Sequence, residues 1–206
     1  LANETDIKAD LVVPVPDSGV PAALGFAEQS NKKFEIGLIR NHYVGRTFIE
    51  PTQSIRSLGV KLKLSASKTI VKNKSIILID DSLVRGTTCH KIVRMLYESG
   101  AKEVHVRIAC PEIKFPDFYG VDMPTKDELL ANDKDNAQMC DYIKASSLKF
   151  LSLSGLYKAL VGEKRNSNYP QFSDHYFTGD YPIKPNDNIK GLKVKQLSLL
   201  SVKSST

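Results

Sequence analysis

The sequence is poor in cysteine, has no long apolar run and has no basic helix interleaved with aromatics. Each absence removes a class of protein. The three cysteines, Cys89, Cys110 and Cys140, stand far apart and are odd in number. That argues against a disulfide framework and a compact metal knot, and for a reducing compartment, here expected to be the cytoplasm. No apolar stretch reaches bilayer-spanning length, so no membrane partner is expected. The first residues, Leu1 to Asp6, lack a signal-peptide pattern. No internal repeat is visible, which excludes a repeat architecture.

What is present is ordinary for a globular chain. It has 206 residues, 41% of them hydrophobic and 25% charged. That is enough for one α/β domain with a substantial core. Basic residues number 29 and acidic ones 23, a net charge of +6. Nucleic acid, a polyanionic small substrate or a basic tail could each explain the excess. Lys184, Lys190, Lys193, Lys195 and Lys203 do cluster near the end. No nucleic-acid partner is expected.

Strands and helices alternate along the chain, which implies a mostly parallel sheet flanked by helices. Leu11 to Pro16 reads as a buried strand, followed by the polar turn Asp17-Ser18-Gly19 and a helix from Val20 to Gln29. Phe34 to Ile39 reads as one strand. Residues 40 to 68 lack periodicity, which marks them as functional or disordered. After the run at 76–79 come a helix from about Cys89 to Ser99 and a strand from Glu103 to Ala109. Pro111 to Met123 reads as an irregular cover. Thr125 to Glu128 matches a capping box opening a helix to about Ala131. A helix at Asn136–Ile143, a strand at Phe150–Leu153 and a helix capped by Ser154 and ending near Gly162 complete the pattern. Residues 183–206 are expected to be a mobile basic tail, leaving 1–182 as the domain.

The most informative stretch is Ile76-Ile77-Leu78-Ile79-Asp80-Asp81-Ser82-Leu83-Val84-Arg85-Gly86-Thr87-Thr88. Four aliphatics read as a buried strand, and two carboxylates stand at its end. Ligands of open α/β sheets bind outside the carboxyl ends of strands, where loops feed helix N-termini. Backbone N–H groups and hydroxyls there suit a phosphate. The adjacent acids suit sugar hydroxyls, a Mg²⁺ ion or a developing cation. An ordinary turn with an N-cap is the plainer alternative, but it does not require two acids, Arg, Gly and two Thr together.

This stretch resembles the phosphoribosyl pyrophosphate (PRPP) signature of type I phosphoribosyltransferases. The segment Arg40-Asn41-His42-Tyr43-Val44-Gly45-Arg46-Thr47-Phe48-Ile49 resembles the flexible catalytic loop of the glutamine PRPP amidotransferase family, also called amidophosphoribosyltransferases. Pro16 to Gly19 resembles that family's pyrophosphate loop. Lys61 to Leu64, Phe118 to Pro124 and Phe177 to Pro182 match further segments in the same order. The resemblance implies the type I phosphoribosyltransferase fold. It also implies synthesis of 5-phosphoribosylamine from PRPP and ammonia, the ammonia coming from glutamine, at the start of purine biosynthesis. Asp80 and Asp81 would hold the ribose hydroxyls and, with Ser18, contribute to a Mg²⁺ site. Ser82, Val84, Arg85, Gly86, Thr87 and Thr88 would wrap the 5′-phosphate. Asp17, Ser18 and Gly19 would meet the pyrophosphate, Tyr43 and Arg46 would close over the site, and Lys61 and Lys63 would add positive charge. Purine nucleotides are implied as feedback inhibitors, and a homo-oligomer as the assembly.

Departures from the family pattern carry expectations of their own. His42 stands where many relatives carry Arg and is given no role. Some relatives hold an iron–sulfur cluster through cysteines at places occupied here by Asp117, Ser173 and Tyr176, so no cluster is expected. Family members begin with a glutaminase domain, and Leu1 appears where that domain would already have ended. This chain alone is therefore not expected to hydrolyse glutamine. Two alternatives stand beside the amidotransferase reading: a salvage phosphoribosyltransferase, and a non-catalytic PRPP-sensing regulator on the same fold.

Overall fold

The computed structural model describes residues 1–41, 64–121 and 125–183. In chain order its elements are β1 (Leu11–Pro14), α1 (Val20–Ser30), β2 (Lys33–Phe34), β3 (Leu38–Arg40), β4 (Leu64–Ala66), α2 (Lys68–Val71), β5 (Ser75–Asp80), α3 (Thr87–Glu98), β6 (Glu103–Ile108), α4 (Leu130–Asp133), α5 (Asn136–Ile143), β7 (Ser147–Phe150), α6 (Leu153–Val161) and α7 (His175–Thr178). Single 3-10 turns lie at Ala2–Glu4 and Lys126–Glu128.

Five strands form one wholly parallel sheet in the order β2-β1-β5-β6-β7. Its central strand explains why an unbroken aliphatic run is needed. Ile76, Ile77, Leu78 and Ile79 are all fully buried, because both faces of the sheet are covered. Ile77 and Ile79 pack with Ala23, Phe26 and Ala27 of α1. Ile76 and Leu78 pack with Ile92 and Leu96 of α3 and with Met139 and Ile143 of α5. The chain winds outward from β1 to β2 on one side and from β5 through β6 to β7 on the other. The winding reverses between β1 and β5, so the loops leaving those two strands diverge and open a crevice at the sheet's carboxyl edge.

Several elements differ from the pattern expected of the sequence. Phe34–Ile39 is not one strand. Glu35–Gly37 breaks it, and Gly37 passes so close to Val13 and Val71 that a Cβ there would lie 3.0 Å from the Val13 methyls. At the end of the 40–68 segment, β4 pairs antiparallel with β3, Arg40 opposite Leu64. The final strand lies at Ser147–Phe150, where Leu148 and Phe150 point inward, and Ser152 rather than Ser154 caps the next helix by accepting from the Gly155 N–H at 2.9 Å. No capping box forms at Thr125. It forms instead at Asp135 and Gln138, through reciprocal bonds of 2.8 and 2.9 Å. His42, Tyr43, Arg46, Lys61 and Lys63, most of the expected lid, and the basic tail from residue 184 lie outside the described residues.

Candidate active site

The crevice is built from two loops on adjacent strands. The first follows β1. The Val15 N–H donates to the Ile79 carbonyl at 2.8 Å, and the Gly19 N–H donates to the Val15 carbonyl at 2.9 Å. The loop is thus folded onto the end of β5. A Cβ on Gly19 would stand 2.5 Å from the Ile79 carbonyl oxygen, so only glycine allows this approach. The Pro16–Asp17 peptide bond is cis. Asp17 forms an ion pair with Arg40 at the end of β3, while Ser18 is exposed. Arg40 keeps a buried Nε with no hydrogen-bond partner.

The second loop follows β5. Asp80 ends the strand, and Asp81 stands beyond it, exposed. The Asp81 N–H donates to Asp80 Oδ1 at 2.9 Å, and Ser82 Oγ donates to Asp81 Oδ1 at 2.8 Å. Burial pushes the Asp80 carboxyl up to about 7, and the neighbouring Asp81 charge adds to the push. Among the described residues no cation pairs with either acid. Two carboxylates side by side without a counter-charge form a site for a positive or hydroxyl-rich ligand.

From Ser82 to Thr88 the chain curls around a cavity of about 270 Å³, lined by Asp80 and residues 82–89. Leu83 anchors the curl in the core. Gly86 turns it with φ of +73°, a conformation natural to glycine. A Cβ on Gly86 would meet Leu130 Cδ2 at 2.7 Å and Tyr142 Cε1 at 3.0 Å. Helix α3 begins at Thr87, two residues before the sequence placed it, so both threonines belong to its first turn. No side chain caps that turn, leaving its leading N–H groups facing the cavity edge. An uncapped N-terminus of a twelve-residue helix, with two hydroxyls beside it, suits an anion. Cys89 also lines the cavity, and burial pushes its thiol well above the ordinary range. Cys110, beyond β6, is likewise pushed up to about 12, by burial first and then by Asp81 and Asp80. Neither thiol is a nucleophile at neutral pH.

The structure therefore gathers Asp17, Ser18 and Gly19, the two acids, and Ser82 to Thr88 at one sheet edge. The sequence reading missed Arg40 as the partner of Asp17, and Glu128, Leu130 and Tyr142 as supports of the second loop. Glu128 had a legible signal only as part of a capping pattern, which assigns its carboxylate elsewhere. Asp117, Ser173 and Tyr176 also converge, away from the crevice, on buried His175. His175 Nε2 lies 2.8 Å from Asp117 Oδ1, and its Nδ1 lies 3.1 Å from Ser173 Oγ. Burial pushes Asp117 up, but hydrogen bonds from Val121, Tyr119 and His175 outweigh it and hold the carboxyl at about 2. Among the described residues no three His, Cys, Asp or Glu side chains are placed to hold a metal ion unaided, and no helix is long and apolar enough to cross a membrane.

A family model described as the phosphoribosyl transferase domain matches residues 1–122. An amidophosphoribosyltransferase of Rhizobium etli is 58% identical over 202 residues, covering 98% of this chain and 41% of that protein. A solved glutamine PRPP amidotransferase from B. subtilis, complexed with ADP and GMP, superposes with a TM-score of 0.78 at 46% identity, covering 88% of this chain and 40% of that one. A second solved structure, described as the allosteric regulatory enzyme of purine biosynthesis, gives a TM-score of 0.77 at 47% identity, covering 88% and 39%. The chain thus spans about two fifths of the length of the proteins it matches.

Proposed function

This chain belongs to the phosphoribosyl transferase domain family, and from that premise we propose that it is the phosphoribosyl-transferring portion of an amidophosphoribosyltransferase. Its reaction joins an amine nitrogen to C1 of PRPP. The bond from C1 to pyrophosphate breaks, the nitrogen takes its place, and a proton leaves the nitrogen. Ammonia is the amine, released from glutamine by another part of the longer protein, and the product opens purine biosynthesis. The carrying observation is the pairing of two acids that meet no cation among the described residues with an uncapped, glycine-turned helix N-terminus, on the strand next to a second glycine-dependent loop. A ribose bearing a phosphate at one end and pyrophosphate at the other spans such a pair of loops.

Each described residue has a task in this reading. The N–H groups and hydroxyls from Ser82 to Thr88 hold the 5′-phosphate. Asp80 and Asp81 hold the ribose diol and face the positive charge that grows on the sugar as pyrophosphate departs. Asp17 has its charge taken by Arg40, so the first loop meets pyrophosphate with its backbone and Ser18 rather than with a bare carboxylate. A metal requirement is consistent with the family, and we assign it to Mg²⁺. Asp80, Asp81 and Ser18 would hold the ion, which fits two acids that meet no cation among the described residues and a site whose described ligands are too few to hold metal without substrate oxygens. When bound, Mg²⁺ supplies charge neutralisation for the leaving group. By resemblance to the family, Tyr43 and Arg46 would close over the site and Lys61 and Lys63 would supply positive charge.

Purine nucleotides are the proposed inhibitors. A nucleoside 5′-phosphate offers the same diol and phosphate as PRPP, and the B. subtilis relative was solved with ADP and GMP. A reducing, cytoplasmic setting suits three unpaired thiols. The test is ammonia-dependent release of pyrophosphate from PRPP and Mg²⁺ by the chain. Release that rises with ammonia supports the reading. Release that needs a nucleobase instead would assign the site to a salvage enzyme.

A further inference from the structure

We propose that Glu128 is a positioning residue for the phosphate turn, acting through Arg85, and that Arg85 is a strut of that turn rather than a ligand of the phosphate. The proposal rests on the reading of Ser82–Thr88 as the 5′-phosphate site. Arg85 Nε donates to Glu128 Oε1 at 3.1 Å and its Nη2 donates to Oε2 at 3.2 Å. This two-pronged fit uses both carboxylate oxygens and most of the guanidinium's donor edge. The Arg85 hydrogen bond is the main reason the Glu128 carboxyl is held below its ordinary range.

The contact is one of three in consecutive residues. The Leu130 N–H donates to the Val84 carbonyl at 2.8 Å. Gly86 lies against Leu130 and Tyr142. Residues 84, 85 and 86 are thus each engaged by residues 128–130 or by α5. The side chains of Arg85 and Glu128 are 53% and 49% exposed, so the pair adds little to global stability. Its effect is local: it fixes the curl whose N–H groups must all point at one phosphate. A guanidinium already facing a carboxylate is also a poor attractor for a dianion. Freed from Glu128, Arg85 would swing toward the phosphate or into solvent, and the turn would lose its brace.

Calorimetric titration of ribose 5-phosphate into the chain distinguishes a strut from a ligand. The variants are Glu128→Gln, Arg85→Ala and the two combined, each checked for an unchanged melting temperature. As a strut, each single change weakens ribose 5-phosphate by about five- to tenfold, and the double change is no worse than the worse single one, because both act through one unit. Inorganic pyrophosphate with Mg²⁺, which engages the other loop, keeps its affinity within about twofold. In the turnover assay KM for PRPP rises while kcat at saturation holds, and Glu128→Asp recovers part of the loss. A Glu128→Gln variant that binds ribose 5-phosphate unchanged or more tightly overturns the proposal. So does an Arg85→Ala loss far greater than that of Glu128→Gln, which would make Arg85 a direct phosphate ligand. If the unaltered chain binds neither ribose 5-phosphate nor PRPP, the functional reading itself falls and the proposal with it.

Discussion

Asp80→Asn should make the ligand-free protein more stable at pH 8 while destroying its use of PRPP. The Asp80 carboxyl is held at about 7 instead of near 4, first by burial and then by Asp81. Each tenfold change in acidity is worth about 1.4 kcal/mol, so holding this carboxylate ionised in the fold costs about 2–4 kcal/mol. The sign follows from linkage. A carboxyl whose folded value is raised contributes fully below about pH 4, and that contribution is lost as pH rises through about 7. Asparagine has the same shape, accepts the same N–H from Asp81 and never ionises. Wild type and variant should therefore melt within about 2 °C of each other at or below about pH 4, and should already separate by pH 5. At pH 8, in EDTA and without ligand, the variant should melt higher by about 5–10 °C for a domain of this size. Melts followed by circular dichroism at pH 4, 5, 6, 7 and 8 measure this. A difference that stays constant with pH, or a variant less stable at pH 8, would refute the assignment of strain to Asp80. The same group predicts that Mg²⁺–PRPP binding strengthens as pH rises through about 7, because the ligand needs the ionised form.

Asp81→Asn should spare the fold, since Asp81 lies past the strand and is exposed, but lose about 2–4 kcal/mol of transition-state stabilisation in turnover. An unchanged rate would count against its role. Gly19→Ala should lower stability by about 1–3 kcal/mol in denaturant titration, because its Cβ meets a backbone oxygen that cannot swing aside. A neutral result would mean the first loop is looser than described. Asp174→Ala should cost about 2–4 kcal/mol by the same titration, since it leaves the 17% exposed Arg165 with Asp180 as its remaining carboxylate partner among the described residues and removes the 2.8 Å acceptor of the buried Tyr157 hydroxyl. A loss below about 1 kcal/mol would show the pair to be solvated.

The core of this site was legible because its signals are local. An all-aliphatic run needs two covered faces, and two acids at its end cannot be core. A Gly-Thr turn before an amphipathic helix also has few other uses. What could not be read depends on contacts far apart in the chain. Arg40 and Asp17 meet only because β3 folds back beside the β1 loop. Glu128 stands 43 positions from Arg85 and sits in a pattern that mimics a cap. The shifted strand at Ser147–Phe150 failed for a different reason: Leu148, Phe150, Leu151 and Leu153 offer two equivalent registers, and only pairing with β6 selects one. The roles of Tyr43, Arg46, Lys61 and Lys63 rest on resemblance to a known family.

The most direct test of the central claim is amide hydrogen exchange with and without a non-hydrolysable PRPP analogue and Mg²⁺. The account predicts new protection at two places: the Asp17 and Ser18 N–H groups, and the N–H groups from Gly86 to Cys89, both lost when EDTA replaces the metal. Protection confined to other segments, or none at either loop under saturating analogue, would contradict it.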